Sequence, residues 1–315
     1  MPRIGGRRLR PPAGWFDAFF ILRPTLFFPA WTAFLAGYRL GDGSAGRAAL
    51  YLLWLAAASG ASFLLNQLTD RREDCANGKL LPLWDGLVTR GMLRLEMAFL
   101  LTGTILGAAW AGGEAAGWLA LFFIIAGWLY NFPPFRLKSR PLLGIAACAA
   151  GGWILVVIGA RAAGLPLDRA ALAGLPYALA GAAASLLTHV PDLAGDRATG
   201  ARTFPLVYGL AATGAWAAGL TGAAAATALL LHDWALFAAA AVSLPFFLRF
   251  SFRQDAAAAQ SAVKIAVFSL AVAVGLAWPP LLVMIALYYP FARWYHRARL
   301  GLEYPSFGNT PPTQD

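Results

Sequence analysis

From Phe16 onward the chain is a succession of apolar runs, each close to the length of a bilayer crossing. Bilayer hydrocarbon is about 30 Å thick and a helix rises about 1.5 Å per residue, so about 20 apolar residues span it. A water-soluble core does not need such runs in series. Ala, Leu, Gly, Phe and Trp fill them, without strand-like alternation, so the pattern predicts helices and not a β-barrel. The expected spans are 17–38, 48–69, 92–111, 115–132, 142–162, 170–190, 207–231, 234–250, 262–278 and 280–297. Pro279 and Pro280 separate the last two, since one segment running through both would be too long for a single crossing.

Composition agrees, with 59% of residues hydrophobic and 13% charged, against roughly 25% charged in a soluble protein. The net charge of +10 is explained first by topology. With the N-terminus inside, Arg39, Arg47, Arg161 and Arg169 are the only members of the 25 lysines and arginines left outside. The fold expected has nine to ten crossings, and that bias favours ten, with both termini on the cytoplasmic side of an inner or plasma membrane. Nucleic-acid binding would need a basic soluble module, and none is expected. Cys75 and Cys148 have no paired spacing, so they imply neither metal nor disulfide. The first run follows Arg3, Arg7, Arg8 and Arg10, contains Arg23-Pro24 and lacks a cleavage site, so it reads as a retained helix. Residues 1–300 are expected to form one transmembrane domain, and 301–315, with Pro305, Pro311 and Pro312, a loose tail.

An internal repeat carries the chemistry. After the second span the chain reads N-Q-L-T-D-R-R-E-D-C-A-N-G-K-L-L-P-L, and after the sixth H-V-P-D-L-A-G-D-R-A-T-G-A-R-T-F-P-L. Both contain D-x3-D-x3-G, at Asp70, Asp74 and Gly78 and at Asp192, Asp196 and Gly200, followed by a basic residue and then Pro-Leu. Four helices separate them, on one side of the membrane, which suggests two duplicated halves. Asn66, Asp70 and Asp74, at i, i+4 and i+8, line one face if the second helix continues past the bilayer, and side chains four apart lie about 5–6 Å apart at Cβ. Carboxylates that close repel unless a cation intervenes, and oxygen ligands of this kind suit Mg²⁺ bridged to phosphate. Either acidic pair alone would read as solvated carboxylates at a helix end; the shared glycine offset argues for a site. Arg72, Lys79, Arg197 and Arg202 flank the acids, and the loop Y-N-F-P-P-F-R-L-K-S-R adds Arg136, Lys138 and Arg140. Such cations stabilise a departing diphosphate, although topology alone explains any single arginine here. Arg23 is a candidate contact for a polar acceptor or a helix-end residue. His189 is a candidate base or a hydrogen-bonded helix-end histidine; His232 and His296 read as interface residues.

These motifs resemble the UbiA-type intramembrane prenyltransferases. The family's N-x3-D-x3-D pattern matches Asn66, Asp70 and Asp74, and its second pattern matches Asp192, Asp196, Gly200, Thr203 and Pro205. The resemblance implies an all-α bundle around a central cavity open to lipid and capped by cytoplasmic loops. It implies transfer of a polyprenyl group from its diphosphate to an aromatic or other lipophilic acceptor within the bilayer. Mg²⁺ held by Asn66, Asp70, Asp74, Asp192 and Asp196 would bind the diphosphate, with Arg136 and Lys138 steadying it as it leaves. Phe63, Tyr130 and Trp153 are candidates to face an allylic cation, or are packing residues. The segment from Lys79 to Gly86, the spacing from Tyr130 to Lys138 and a tenth helix depart from the family pattern, and these departures bear on the acceptor.

Transfer to a glycerol-type lipid or a tetrapyrrole, and terpene-like cyclisation, are the alternative chemistries. The non-enzymatic alternatives are an ion-coupled transporter and an assembly protein. Carriers place coupling acids near the midplane, whereas here the acids fall where spans end.

Overall fold

The structure is a computed structural model that describes residues 3–4, 7–8, 14–70 and 88–305, with side chains from Phe16 onward. Among the described residues twelve α-helices carry the fold: α1 Gly14–Ile21, α2 Phe27–Tyr38, α3 Ala45–Thr69, α4 Arg90–Ala111, α5 Gly113–Phe122, α6 Pro141–Ala162, α7 Leu167–Thr188, α8 Leu193–Thr199, α9 Phe204–Leu230, α10 Trp234–Arg253, α11 Ala256–Ala277 and α12 Pro279–Leu300. A two-residue antiparallel ladder, β1 Arg3–Ile4 with β2 Arg7–Arg8, precedes them. The all-α expectation holds. Among the described residues, α3, α4, α6, α7 with its continuation to Thr199, α9, α10 and α11 are long and apolar enough to cross a bilayer.

The helix boundaries have local causes. Ser44, Thr89, Asp233 and Asp255 each accept a hydrogen bond from the N–H three residues on, at 3.3, 3.2, 3.1 and 2.7 Å, and so start α3, α4, α10 and α11. The split at Pro279 is observed, with α11 ending at Ala277. The first expected span, 17–38, is corrected: it is two helices. Pro24 disfavours helical geometry at Arg23, which takes φ 56°, and the chain passes through a 3₁₀ turn at Pro24–Leu26 before α2. The fourth span is interrupted too. Its second half, Phe123–Leu129, is π-helical, and the close approach of Ser62 Oγ at Gly127 leaves no room for a Cβ there.

Small residues let the central helices touch through their backbones. A Cβ on Gly37 of α2 would lie 2.0 Å from the Val156 carbonyl of α6, and one on Gly159 would lie 1.9 Å from the Phe34 carbonyl. Helix association in lipid relies on such close packing, since burial from water supplies no force there. α6 packs in turn on α7, where Gly152 and Gly181 face the Tyr177 and Cys148 carbonyls. α4 lies outermost, with Leu95, Phe99, Leu106 and Trp110 more than 60% exposed, the pattern of a lipid-facing helix.

Polar clamps close the two ends. Asp17 of α1, buried to 2% exposure, accepts from Tyr295 Oη at 2.5 Å and from Arg299 Nη2 at 2.6 Å, which fastens α1 to α12. Phe20 stacks on Tyr295 with centroids 3.9 Å apart. At the opposite end Asp233 pairs with Arg39 and accepts from Tyr177 Oη at 2.7 Å.

Candidate active site

The end of α3 sets the first acid. Asp70 leaves helical geometry at φ −96°, while its N–H still closes the last turn on the Asn66 carbonyl at 2.9 Å. Asn66 Nδ2 donates to Asp70 Oδ2 at 2.5 Å, as the shared helix face requires. Thr69 Oγ1 donates to Oδ1 at 3.1 Å, Lys138 Nζ ion-pairs with the same oxygen, and Arg136 Nη2 lies 3.8 Å from it. The carboxylate is 8% exposed, so these partners offset its desolvation.

Asn131 is a site residue that the sequence reading did not single out. It is 2% exposed; its Oδ1 accepts from Asn66 Nδ2 at 2.8 Å, and its own amide donates to the Gly127 carbonyl at 2.9 Å. Asn66 thereby commits both side-chain amide hydrogens, and among the described residues no donor occupies its side-chain Oδ1. The available signal was its place beside Tyr130 at the end of an apolar span, but a single Asn there looks like any polar span end. The π-helical segment just before it sets the angle at which Tyr130 and Asn131 enter the site.

The basic residues arrive on the next turn. Arg136 takes φ 38°, and the 3₁₀ turn Leu137–Ser139 carries Lys138 inward to 8% exposure. Lysine is rarely buried unless paired, and Asp70 is the pair.

The second motif is built differently. After α7 a 3₁₀ turn, Val190–Asp192, leads into α8, which carries Asp196 at 8% exposure. Asp192 N–H donates to the His189 carbonyl at 3.2 Å, which places His189 at the junction of α7 and this turn. Gly200 ends α8 at φ 74°, a left-handed helix stop that favours glycine; this accounts for the glycine of the second motif. Arg202 N–H donates to the Ser139 carbonyl at 3.3 Å, tying this loop to the Lys138 turn. Arg197 is exposed on α8, and Arg202 is exposed beside Arg140, without a carboxylate partner among the described residues. Arg23 stands at the break between α1 and α2. Asp74, Arg72 and Lys79 lie outside the described residues.

The two motifs meet at one place. Tyr130 lies within electrostatic reach of both Asp70 and Asp196, and the Arg202 N–H to Ser139 carbonyl bond ties the second motif to the turn that carries Lys138. Asp70, Asp196 and the side-chain Oδ1 of Asn66 are hard oxygen donors of the kind that suits a divalent cation such as Mg²⁺. Among the described residues no three His, Cys, Asp or Glu cluster by themselves.

Residues 25–268 match the UbiA prenyltransferase family. The chain belongs to this family. It is an integral, multi-pass membrane protein, and its fold is that of solved UbiA homologues. One from Archaeoglobus fulgidus, bound to GPP and Mg²⁺, superposes with a TM-score of 0.66 at 19% identity, over 83% of this chain and 98% of that one. Among proteins similar in sequence is the digeranylgeranylglyceryl phosphate synthase of Halobacterium salinarum, 35% identical over 179 residues, or 56% of this chain and 62% of that protein. The bacteriochlorophyll synthase 33 kDa chain of Cereibacter sphaeroides is 28% identical over 197 residues, 60% of this chain and 65% of that protein. The chain thus spans just under two thirds of the length of these curated relatives.

Proposed function

We propose that this UbiA protein transfers a prenyl group from its diphosphate to a lipophilic acceptor inside the bilayer, and that the acceptor is a glycerol-type lipid. The observation that carries the reading is the buried Asp70 carboxylate held by Asn66, Lys138 and Arg136, with the second motif tied to the same turn by the Arg202 N–H to the Ser139 carbonyl. Asn66, Asp70, Asp192 and Asp196, joined by Asp74, would hold Mg²⁺ for binding of the diphosphate. The cation neutralises charge on the departing diphosphate. Lys138 and Arg136 bind phosphate oxygens and stabilise the charge that grows as the C–O bond breaks. The allylic carbon is left cationic, the acceptor oxygen bonds to it, and the acceptor's proton is lost to a base. Tyr130, on the helix side of the acids, orients the reacting end, and its ring face favours positive charge. The active-site loops and both termini face the cytoplasm, where prenyl diphosphates are made soluble by their charge.

The sequence reading put aromatic acceptors first. The 35% identity to a digeranylgeranylglyceryl phosphate synthase favours the glycerol-type lipid instead. The similarity to a bacteriochlorophyll synthase chain keeps prenyl transfer to a tetrapyrrole as the second reading. Acids at span ends, rather than at midplane, weigh against an ion-coupled carrier. The test is product analysis. Purified protein in nanodiscs receives Mg²⁺, geranylgeranyl diphosphate and, separately, a prenylglyceryl phosphate, a 4-hydroxybenzoate-type acid and a chlorophyllide. A mass gain of one prenyl unit on the glyceryl lipid supports the proposal. Gain only on the aromatic acid or the chlorophyllide assigns the acceptor elsewhere, and diphosphate release with none refutes transfer to any of the three.

A further inference from the structure

We infer that the cleft between the first turns of α6 and α9 binds the headgroup of an anionic phospholipid from the surrounding leaflet. The cleft holds about 550 Å³ and is lined by Ser139, Arg140, Leu142, Leu143, Arg202 and Tyr208, among others. That volume lies in the range of small-molecule sites, roughly 300–1,000 Å³. Its composition is divided in the way an amphiphile is divided. Arg140 and Arg202 supply two guanidinium groups, each just before a helix that enters the apolar region. Leu142, Leu143 and Tyr208 follow within the first turns and are 58%, 46% and 50% exposed. Apolar side chains this exposed on membrane helices meet acyl chains. The arginines therefore sit at headgroup depth, with acyl-chain contacts directly below them.

Among the described residues neither guanidinium has a carboxylate within ion-pair distance, and Arg140 donates to the Pro134 carbonyl at 3.2 Å. Two arginines held side by side match the planar, multidentate recognition of a phosphate. Basic pockets between transmembrane helices recognise anionic headgroups on this basis. The placement has a consequence for the catalytic residues. Arg202 N–H bonds the Ser139 carbonyl at 3.3 Å, and Ser139 follows Lys138 in the same 3₁₀ turn. A lipid phosphate bridging Arg140 and Arg202 braces the turn that holds Lys138 against Asp70.

The test is native mass spectrometry of the full-length protein released from nanodiscs with equal mole fractions of phosphatidylglycerol and phosphatidylcholine of matched chains. An arginine near an anionic headgroup contributes about five-fold in binding. The wild type is expected to retain phosphatidylglycerol several-fold over phosphatidylcholine. The Arg140→Gln/Arg202→Gln variant is expected to lose that preference, and Arg249→Gln/Arg253→Gln, on exposed arginines of α10, to keep it. No headgroup preference in the wild type overturns the inference without any variant, so it does not depend on the variant's folding. Equal loss in both variants also overturns it, because the preference would then be general surface charge. If the Arg140/Arg202 variant keeps its phosphatidylglycerol but raises KM for a phosphate-bearing acceptor, the cleft belongs to the acceptor and the resident-lipid assignment is wrong.

Discussion

At the scale of single residues, Asp70 organises the site. Four side chains converge on one buried carboxylate, and each has a separable consequence. Lys138→Gln leaves Asp70 without its buried cation and removes a donor to the leaving diphosphate. The account predicts a fall in kcat of about 10²–10³ with a much smaller change in KM, measured by diphosphate release. Asn131 acts through Asn66, so Asn131→Ala is expected to weaken Mg²⁺ activation by about 10–100-fold while leaving the dependence on acceptor unchanged. A Mg²⁺ titration of activity reads this, and an unchanged midpoint would show that Asn131 only packs. Asn66, Asp70, Asp192 and Asp196 were legible in the sequence because their spacing and repetition have a chemical reason. Asn131 was not, because its role depends on which helix lies opposite α3. That is a tertiary fact, and the π-helical segment that aims it has no local sequence sign.

At the scale of elements, periodicity located nearly every helix, and the two departures have named causes. Pro24 breaks the first span, and the π-helical segment alters the phase of the fourth. Which helices touch was hidden, since chains rich in Ala and Gly present small residues on every face. The structure places Gly37 and Gly159 at the α2–α6 crossing and leaves Gly219 and Gly222 of α9 with open space. Gly159→Val is therefore predicted to separate α2 from α6, at a cost of at least the 1–3 kcal/mol typical of overpacking. Gly222→Val should be near neutral by comparison. Thermal aggregation of the detergent-solubilised variants checks both, and equal behaviour would contradict the crossing. The clamp at Asp233 gives another prediction. Asp233→Ala strands Arg39 and removes the α10 cap, and breaking a buried pair in this way costs about 3–5 kcal/mol. It should lower the melting temperature without changing the Mg²⁺ requirement.

At the scale of the whole molecule, the chain brings two distant acidic motifs to one end of a helical bundle. The bias of arginine and lysine is the ground for proposing that this end faces the cytoplasm. In a Cys75→Ser background, Ser44→Cys is predicted to react with a membrane-impermeant maleimide from outside intact cells, and Thr199→Cys only after permeabilisation. The reverse pattern would invert the topology and remove the site from its charged substrate. The central claim is that both halves of the chain build one metal–diphosphate site. Its most direct test is calorimetric binding of a non-hydrolysable prenyl diphosphate analogue, with and without Mg²⁺, to the wild type, Asp70→Asn and Asp196→Asn. The account predicts Mg²⁺-dependent binding to the wild type, and affinity lower by about 10²-fold or more in each variant, as expected when a metal ligand is lost. Wild-type affinity in either variant, or binding that does not require Mg²⁺, would contradict it.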